Sequence, residues 1–129
     1  METLTPSLQA PRSLQVAPFW KRFQALMHTQ PALVLDAEGN VRYVTTSARI
    51  LMEYGADQAM EPCFFSLIHG RNLYQVMRDV ADMVSGRKRE TSWLLRLRTG
   101  RGRWRWYRVT ASNHLDQEPG YITLQMRAG

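Results

Sequence analysis

The chain predicts an α+β domain: a five-stranded antiparallel sheet with helices on one face and an N-terminal flanking helix. Three observations lead there. Two short apolar runs, Leu33-Val34-Leu35 and Val41-Arg42-Tyr43-Val44, flank a Gly-containing turn and run directly into a helical period. A longer stretch from Asn72 to Ser85 repeats its apolar residues at helical spacing. Three later stretches alternate apolar and polar residues, as strands with one covered face do.

Taken in order, residues 1–17 carry Pro6 and Pro11 among polar residues and read as a flexible arm. Residues 18–30 read as an amphipathic flanking helix, with Pro18 suited to a first turn and Phe19, Trp20, Phe23, Leu26 and Met27 as its apolar stripe. That stripe needs a cover, either the domain's own sheet or a partner chain. Residues 31–129 make the domain proper. Ala37-Glu38-Gly39-Asn40 supplies turn residues for the first hairpin. Thr45, Thr46 and Ser47 each suit the cap of a helix carrying Ala48, Leu51, Met52 and Tyr54, with Gly55 as its stop.

Pro62 interrupts the next segment, so Phe64, Phe65, Leu67 and Ile68 fall on short helical turns. Asn72 is placed to cap the long helix, whose stripe is Leu73, Val76, Met77, Val80, Ala81 and Val84, and Gly86 ends it. Trp93, Leu95 and Leu97 then alternate with polar or outward residues, Thr99-Gly100-Arg101-Gly102 turns, and Trp104 to Ala111 resumes strand composition. After a turn-rich stretch from Asn113 to Gly120, Ile122, Leu124 and Met126 mark one side of a fifth strand.

Composition narrows the class. At 129 residues, 44% apolar and 22% charged, the chain is one ordinary globular domain able to bury a core unaided. The single cysteine, Cys63, excludes an intrachain disulfide. The first ten residues have neither a basic start nor an apolar run, which points to the cytoplasm. No apolar stretch approaches the roughly 20 residues of a bilayer span, so no membrane partner is expected. The net charge of +6 is concentrated late, in Arg87, Lys88 and Arg89 and then Arg96, Arg98, Arg101, Arg103, Arg105 and Arg108. Alternating arginines fit a solvated sheet face first and an anion-binding surface second.

Read together, the hairpin LVLDAEGNVRYV, the helix SARILMEYG, the segment FFSLIHG and the closing hairpin TGRGRWRWYRV resemble, in that order, the PAS (Per-Arnt-Sim) sensory domain over Phe23 to Arg127. Thr45 stands where many members have Asn, and Gly70-Arg71-Asn72 where Pro and acidic residues are common. The resemblance implies a PAS fold and a noncatalytic sensory or interaction module of bacterial-type signal transduction. It also implies a small-molecule cavity between sheet and long helix, best lined by Leu35, Ile50, Phe64, Ile68, Met77, Val80, Trp93 and Val109.

Its cofactor-binding subgroups are not matched. A flavin photosensor would need a Gly-Arg-Asn-Cys-Arg-Phe word, whereas Cys63 lies in Glu-Pro-Cys-Phe-Phe and reads as a small buried thiol. Haem-binding members use a His of the long helix, and here His28, His69 and His114 all lie elsewhere. Neither flavin nor haem is expected, nor a metal, and any other cofactor stays unidentified. Catalysis lacks a nucleophile motif and a phosphate-cradling loop, and Asp79 and Asp82 are expected at the solvent face of the long helix.

For partners, a homodimer is expected through Phe19, Trp20, Phe23 and Leu26, with Trp104 and Trp106 as packing surface. No recognisable output motif follows Arg127, so the signal is expected to pass to an attached output domain or a partner protein. The alternative is a small basic nucleic-acid-binding protein, its arginines neutralising phosphates while Trp104, Trp106 or Tyr107 stacks on bases.

Overall fold

Strand alternation and helical spacing resolve into one sheet with its helices on one side. The structure, a computed structural model, describes residues 30–129. The arm and nearly all of the expected flanking helix, including Phe19, Trp20, Phe23 and Leu26, lie outside the described residues. Strands β1 (Ala32–Leu35), β2 (Val41–Val44), β3 (Glu90–Arg98), β4 (Trp104–His114) and β5 (Tyr121–Ala128) form a five-stranded sheet in the order β2-β1-β5-β4-β3. Every pairing is antiparallel. The last three strands are the expected meander, and β5 inserts beside β1, with Leu33 opposite Leu124.

The side chains that alternate inward from β3, β4 and β5 are Trp93, Leu95, Leu97, Tyr107, Val109, Ala111, Ile122, Leu124 and Met126, all buried. Each such aliphatic side chain contributes roughly 1.5–3 kcal/mol on leaving water. Met52, Met60 and Met83 fill the same core, where flexible thioethers suit irregular gaps.

Helix α1 (Thr46–Leu51) begins as expected. The Thr45 hydroxyl accepts from the Ala48 amide at 3.1 Å and from the Ala32 amide at 3.0 Å, so one side chain both caps the helix and ties it to β1. Its end differs from expectation: the helix stops at Met52, and Glu53, not Gly55, takes the left-handed turn at φ 66°. A non-glycine residue there costs about 1–2 kcal/mol. Hydrogen bonds from the β3–β4 turn and from β4 hold it in place, because Arg103 and Arg105 respectively reach its carboxylate.

Pro62 does break the following segment, which forms a single 3₁₀ turn at Phe64–Leu67. Helix α2 (Gly70–Val84) starts before Asn72, and its cap is His69, whose Nδ1 accepts from the Arg71 amide at 3.3 Å. Asn72 serves the sheet instead, accepting from the Arg96 amide at 3.1 Å. The buried face of α2 is Val76, Asp79, Val80 and Met83, which corrects the expected stripe: Met77 and Val84 are about half exposed. The expected and observed stripes share Val76 and Val80 and differ by a small rotation about the helix axis. That rotation follows from Asp79 having partners inside.

Candidate functional site

Of the residues expected to line a cavity beneath the sheet, Leu35, Phe64, Ile68, Val80, Trp93 and Val109 are buried and belong to one hydrophobic cluster. Ile50 and Met77 are corrections. Ile50 is 71% exposed, because α1 buries Thr45, Ala48, Arg49 and Met52 at spacings of three and four, leaving Ile50 on the outer side. Met77 is 48% exposed on the outer side of α2. The larger of the two described cavities, about 690 Å³, does not lie between sheet and long helix. It is bordered by Ser92, Leu94, Arg108, Thr110, Gln125 and Arg127, all of the outward parity, and therefore opens on the outer sheet face. Trp93 and Val109 also border it, from the strands that form its floor. A smaller one, about 410 Å³, lies where the C-terminal end of α2 meets Asn113 and Leu115.

Asp79 is the residue that sequence reasoning misplaced most. It is buried, not at the solvent face: its Oδ2 accepts from the Trp93 indole N–H at 2.8 Å and its Oδ1 from Lys88 Nζ at 2.9 Å. Burial by itself would push the carboxyl up. The hydrogen bonds from Lys88 and Trp93, aided by the Lys88 charge, outweigh that and hold it below its ordinary value. One carboxylate thereby joins α2, the connection after it and β3. The available signal was Trp93 itself, since an indole on an inward strand position needs an acceptor nearby.

Arg49 was also missed. Its guanidinium is buried and donates from Nη2 to the Gly55 carbonyl at 2.7 Å and to the Gln58 carbonyl, and from Nε to Gly55 at 3.3 Å. Nη1 has no hydrogen-bond partner, and the guanidinium carbon lies 5.9 Å from the Tyr54 ring centroid. Arg49 thus fastens the loop after α1. At the edge of that loop, hydrogen bonds from Arg103 and then Thr99 hold the Glu53 carboxyl down to about 2. The Gly100 amide donates to the Met52 carbonyl at 2.9 Å, so the β3–β4 turn is locked onto the end of α1.

On the outer face Trp104 and Trp106 are nearly half exposed. Arg96 lies over the Trp106 ring at 5.5 Å, and His69 meets Trp104 edge-on at 5.0 Å between ring centroids. Cys63 is half-buried, its backbone bridged to Asn40. Among the described residues no cluster of three or more His, Cys, Asp or Glu is placed to hold a metal, and no helix is long and apolar enough to cross a membrane.

Comparison with known proteins places this architecture. The family model described as PAS fold matches residues 28–125. No curated protein matches the chain in sequence. Among solved structures, a domain of the sensory box sensor histidine kinase/response regulator from Geobacter sulfurreducens superposes with a TM-score of 0.66 at 18% identity, over 84% of this chain and 95% of that one. The PAS domain of nitrogen regulation protein NR(II) from Vibrio parahaemolyticus gives 0.55 at 21%, over 81% and 95%. Drosophila melanogaster Cycle PAS-B with bound ethylene glycol gives 0.64 at 11%, over 77% and 99%. At these identities the likeness is one of fold.

Proposed function

The chain belongs to the PAS-fold family, and from that premise we propose that it is a noncatalytic sensory module whose sheet and long helix respond together to a small ligand or a partner. PAS domains are sensory modules in signalling proteins. The observation that carries the proposal is the Asp79–Trp93 hydrogen bond, which couples α2 to the sheet within the cluster containing Leu35, Phe64, Ile68, Val80 and Val109. A ligand that wedges between helix and sheet must strain or release that bond, so binding shifts the population of two arrangements. The Cycle domain, similar in fold, has been seen with ethylene glycol bound. Output passes to an attached domain or a partner protein, and self-association runs through Phe19, Trp20, Phe23 and Leu26 in the cytoplasm.

A metabolite panel tests the sensory reading. A compound that raises the thermal midpoint and also shifts Trp93 emission, with both effects lost in Trp93→Phe, supports it. Native mass spectra showing only the bare chain, together with no midpoint shift across the panel, would sink it. For the interface, Phe23→Glu should lower the sedimentation coefficient, and an unchanged value removes that contact.

A further inference from the structure

The outer face of β3–β5 carries an arrangement that the sensory reading leaves unused. Arg98 stands directly opposite Trp104, Arg96 opposite Trp106, and Leu94 opposite Arg108, which in turn stands opposite Arg127. Leu94, Trp104 and Trp106 are each exposed over nearly half their surface. Among the described residues none of these four arginines forms an ion pair; the ion pairs go to Arg42, Lys88, Arg89, Arg103 and Arg105. The carboxylate of outward parity on β3, Glu90, lies two rows beyond Leu94, about 13 Å away along the strand. Like charges directly across a strand pair are destabilising, so Arg108 beside Arg127 is a cost that folding alone does not repay.

We propose that this face docks an acidic segment of a partner protein carrying apolar anchors. The proposal rests on reading the domain as an interaction module and specifies the partner's chemistry. Rows along a strand repeat every ~6.8 Å and strands lie ~4.8 Å apart, so the patch is roughly 14 by 10 Å, the footprint of a few helical turns. Its apolar centre and arginine flanks match a helix with a leucine or aromatic stripe bordered by carboxylates. The cavity beside it, about 690 Å³ and bordered by Leu94, Arg108 and Arg127, gives one anchor a recess. A second copy of this chain fits poorly, because a twofold contact would set the same arginines against themselves. On this proposal Trp104 and Trp106 serve the acidic partner in place of the expected homodimer surface. Single-stranded nucleic acid fits less well too: Arg96 already covers a face of Trp106, His69 already packs on Trp104, and Leu94 offers a base nothing.

The test titrates the full chain with an amphipathic peptide of glutamate and leucine, about 14 residues long, with its lysine-for-glutamate counterpart as control. Amide chemical shifts should move saturably along β3–β5 around Leu94, Trp106 and Arg127, and the lysine peptide should leave them unmoved. Arg108→Glu with Arg127→Glu, and separately Trp106→Ala, should each weaken binding at least tenfold with unchanged thermal midpoints, while the lysine pair Arg108→Lys and Arg127→Lys restores most of it. Equal affinity in the charge-reversed variant, shifts confined to other residues, or equal binding of an oligothymidylate of matched charge overturns the proposal. So does concentration-dependent dimerisation that Trp106→Ala abolishes. A ligand response in the metabolite panel that survives such a failure confines the failure to this surface; loss of both responses ends the sensory reading as well.

Discussion

The Trp93 indole N–H and the Asp79 carboxylate meet at 2.8 Å inside the domain, fourteen residues apart in sequence and on different secondary elements. Removing the acceptor leaves a buried indole donor and an unpaired Lys88. Asp79→Ala should therefore cost about 1–3 kcal/mol, measured by urea unfolding, chiefly from the buried indole donor left unpaired, since the Lys88 side chain is a third exposed and can turn to water. Asp79→Asn should recover part of this by keeping an acceptor for Trp93. A loss below about 1 kcal/mol for Asp79→Ala would mean the bond is idle.

The same carboxyl gives the fold a pH dependence. Its value is depressed in the folded state, so its contribution is complete above the unfolded value of about 4 and is lost as pH falls through the lower folded value. Wild type should lose stability in acid below about pH 4 more steeply than Asp79→Asn. Parallel curves for the two proteins over that range would contradict the assignment.

Gly100 offers a steric test. A Cβ there would lie 2.5 Å from the Glu53 carbonyl oxygen and 2.9 Å from the Tyr54 ring, and backbone cannot yield cheaply. Gly100→Ala should cost about 1–3 kcal/mol and raise hydrogen exchange at the end of α1. Gly70→Ala, with open space around it and ordinary backbone, should be neutral or slightly stabilising.

Thr45→Ala removes one oxygen that serves two amides, those of Ala48 and Ala32. The expected loss is about 1–2 kcal/mol, with Thr45→Ser retaining most of the stability. If the alanine variant unfolds at the wild-type midpoint, the cap does not govern the junction of α1 with β1.

Arg49→Met trades a buried cation for a thioether of similar reach. The Gly55 and Gln58 carbonyls lose their donor, while the desolvation of an unpartnered Nη1 is relieved, so the net cost should be modest, about 1–2 kcal/mol. The clearer readout is local. Amide exchange across residues 55–58 should accelerate while that of β5 stays as in wild type, and unaltered protection of the loop would deny Arg49 its fastening role.

The strands and the long helix were legible because burial repeats along them with a fixed period: Trp93, Leu95 and Leu97 face in, and Ile122, Leu124 and Met126 face in. The family was legible from the order of its local words. What could not be read were polar residues whose partners are distant in sequence. Asp79 looked solvated because its apolar neighbours suggested a face from which it was absent, and only Lys88 and Trp93 bring it inside. Asn72 looked like a cap because local rules govern caps, yet its oxygen is taken by Arg96 of β3. Ile50 and Met77 failed for the opposite reason: the family resemblance placed them in a pocket, whereas the short turn of α1 and the rotation of α2 leave them exposed.

The strand order carries a consequence for assembly during synthesis. β5 is the last strand made and sits between β1 and β4, so until residues 121–128 emerge, the β1–β2 hairpin and the β3–β4 hairpin share no ladder. Closing the sheet demands a contact spanning nearly the whole domain, Leu33 against Leu124, and such long-range closure is slow to form. A nascent chain halted before Tyr121 therefore presents two unjoined hairpins with open edges, and these are what a chaperone or a neighbouring chain would meet first.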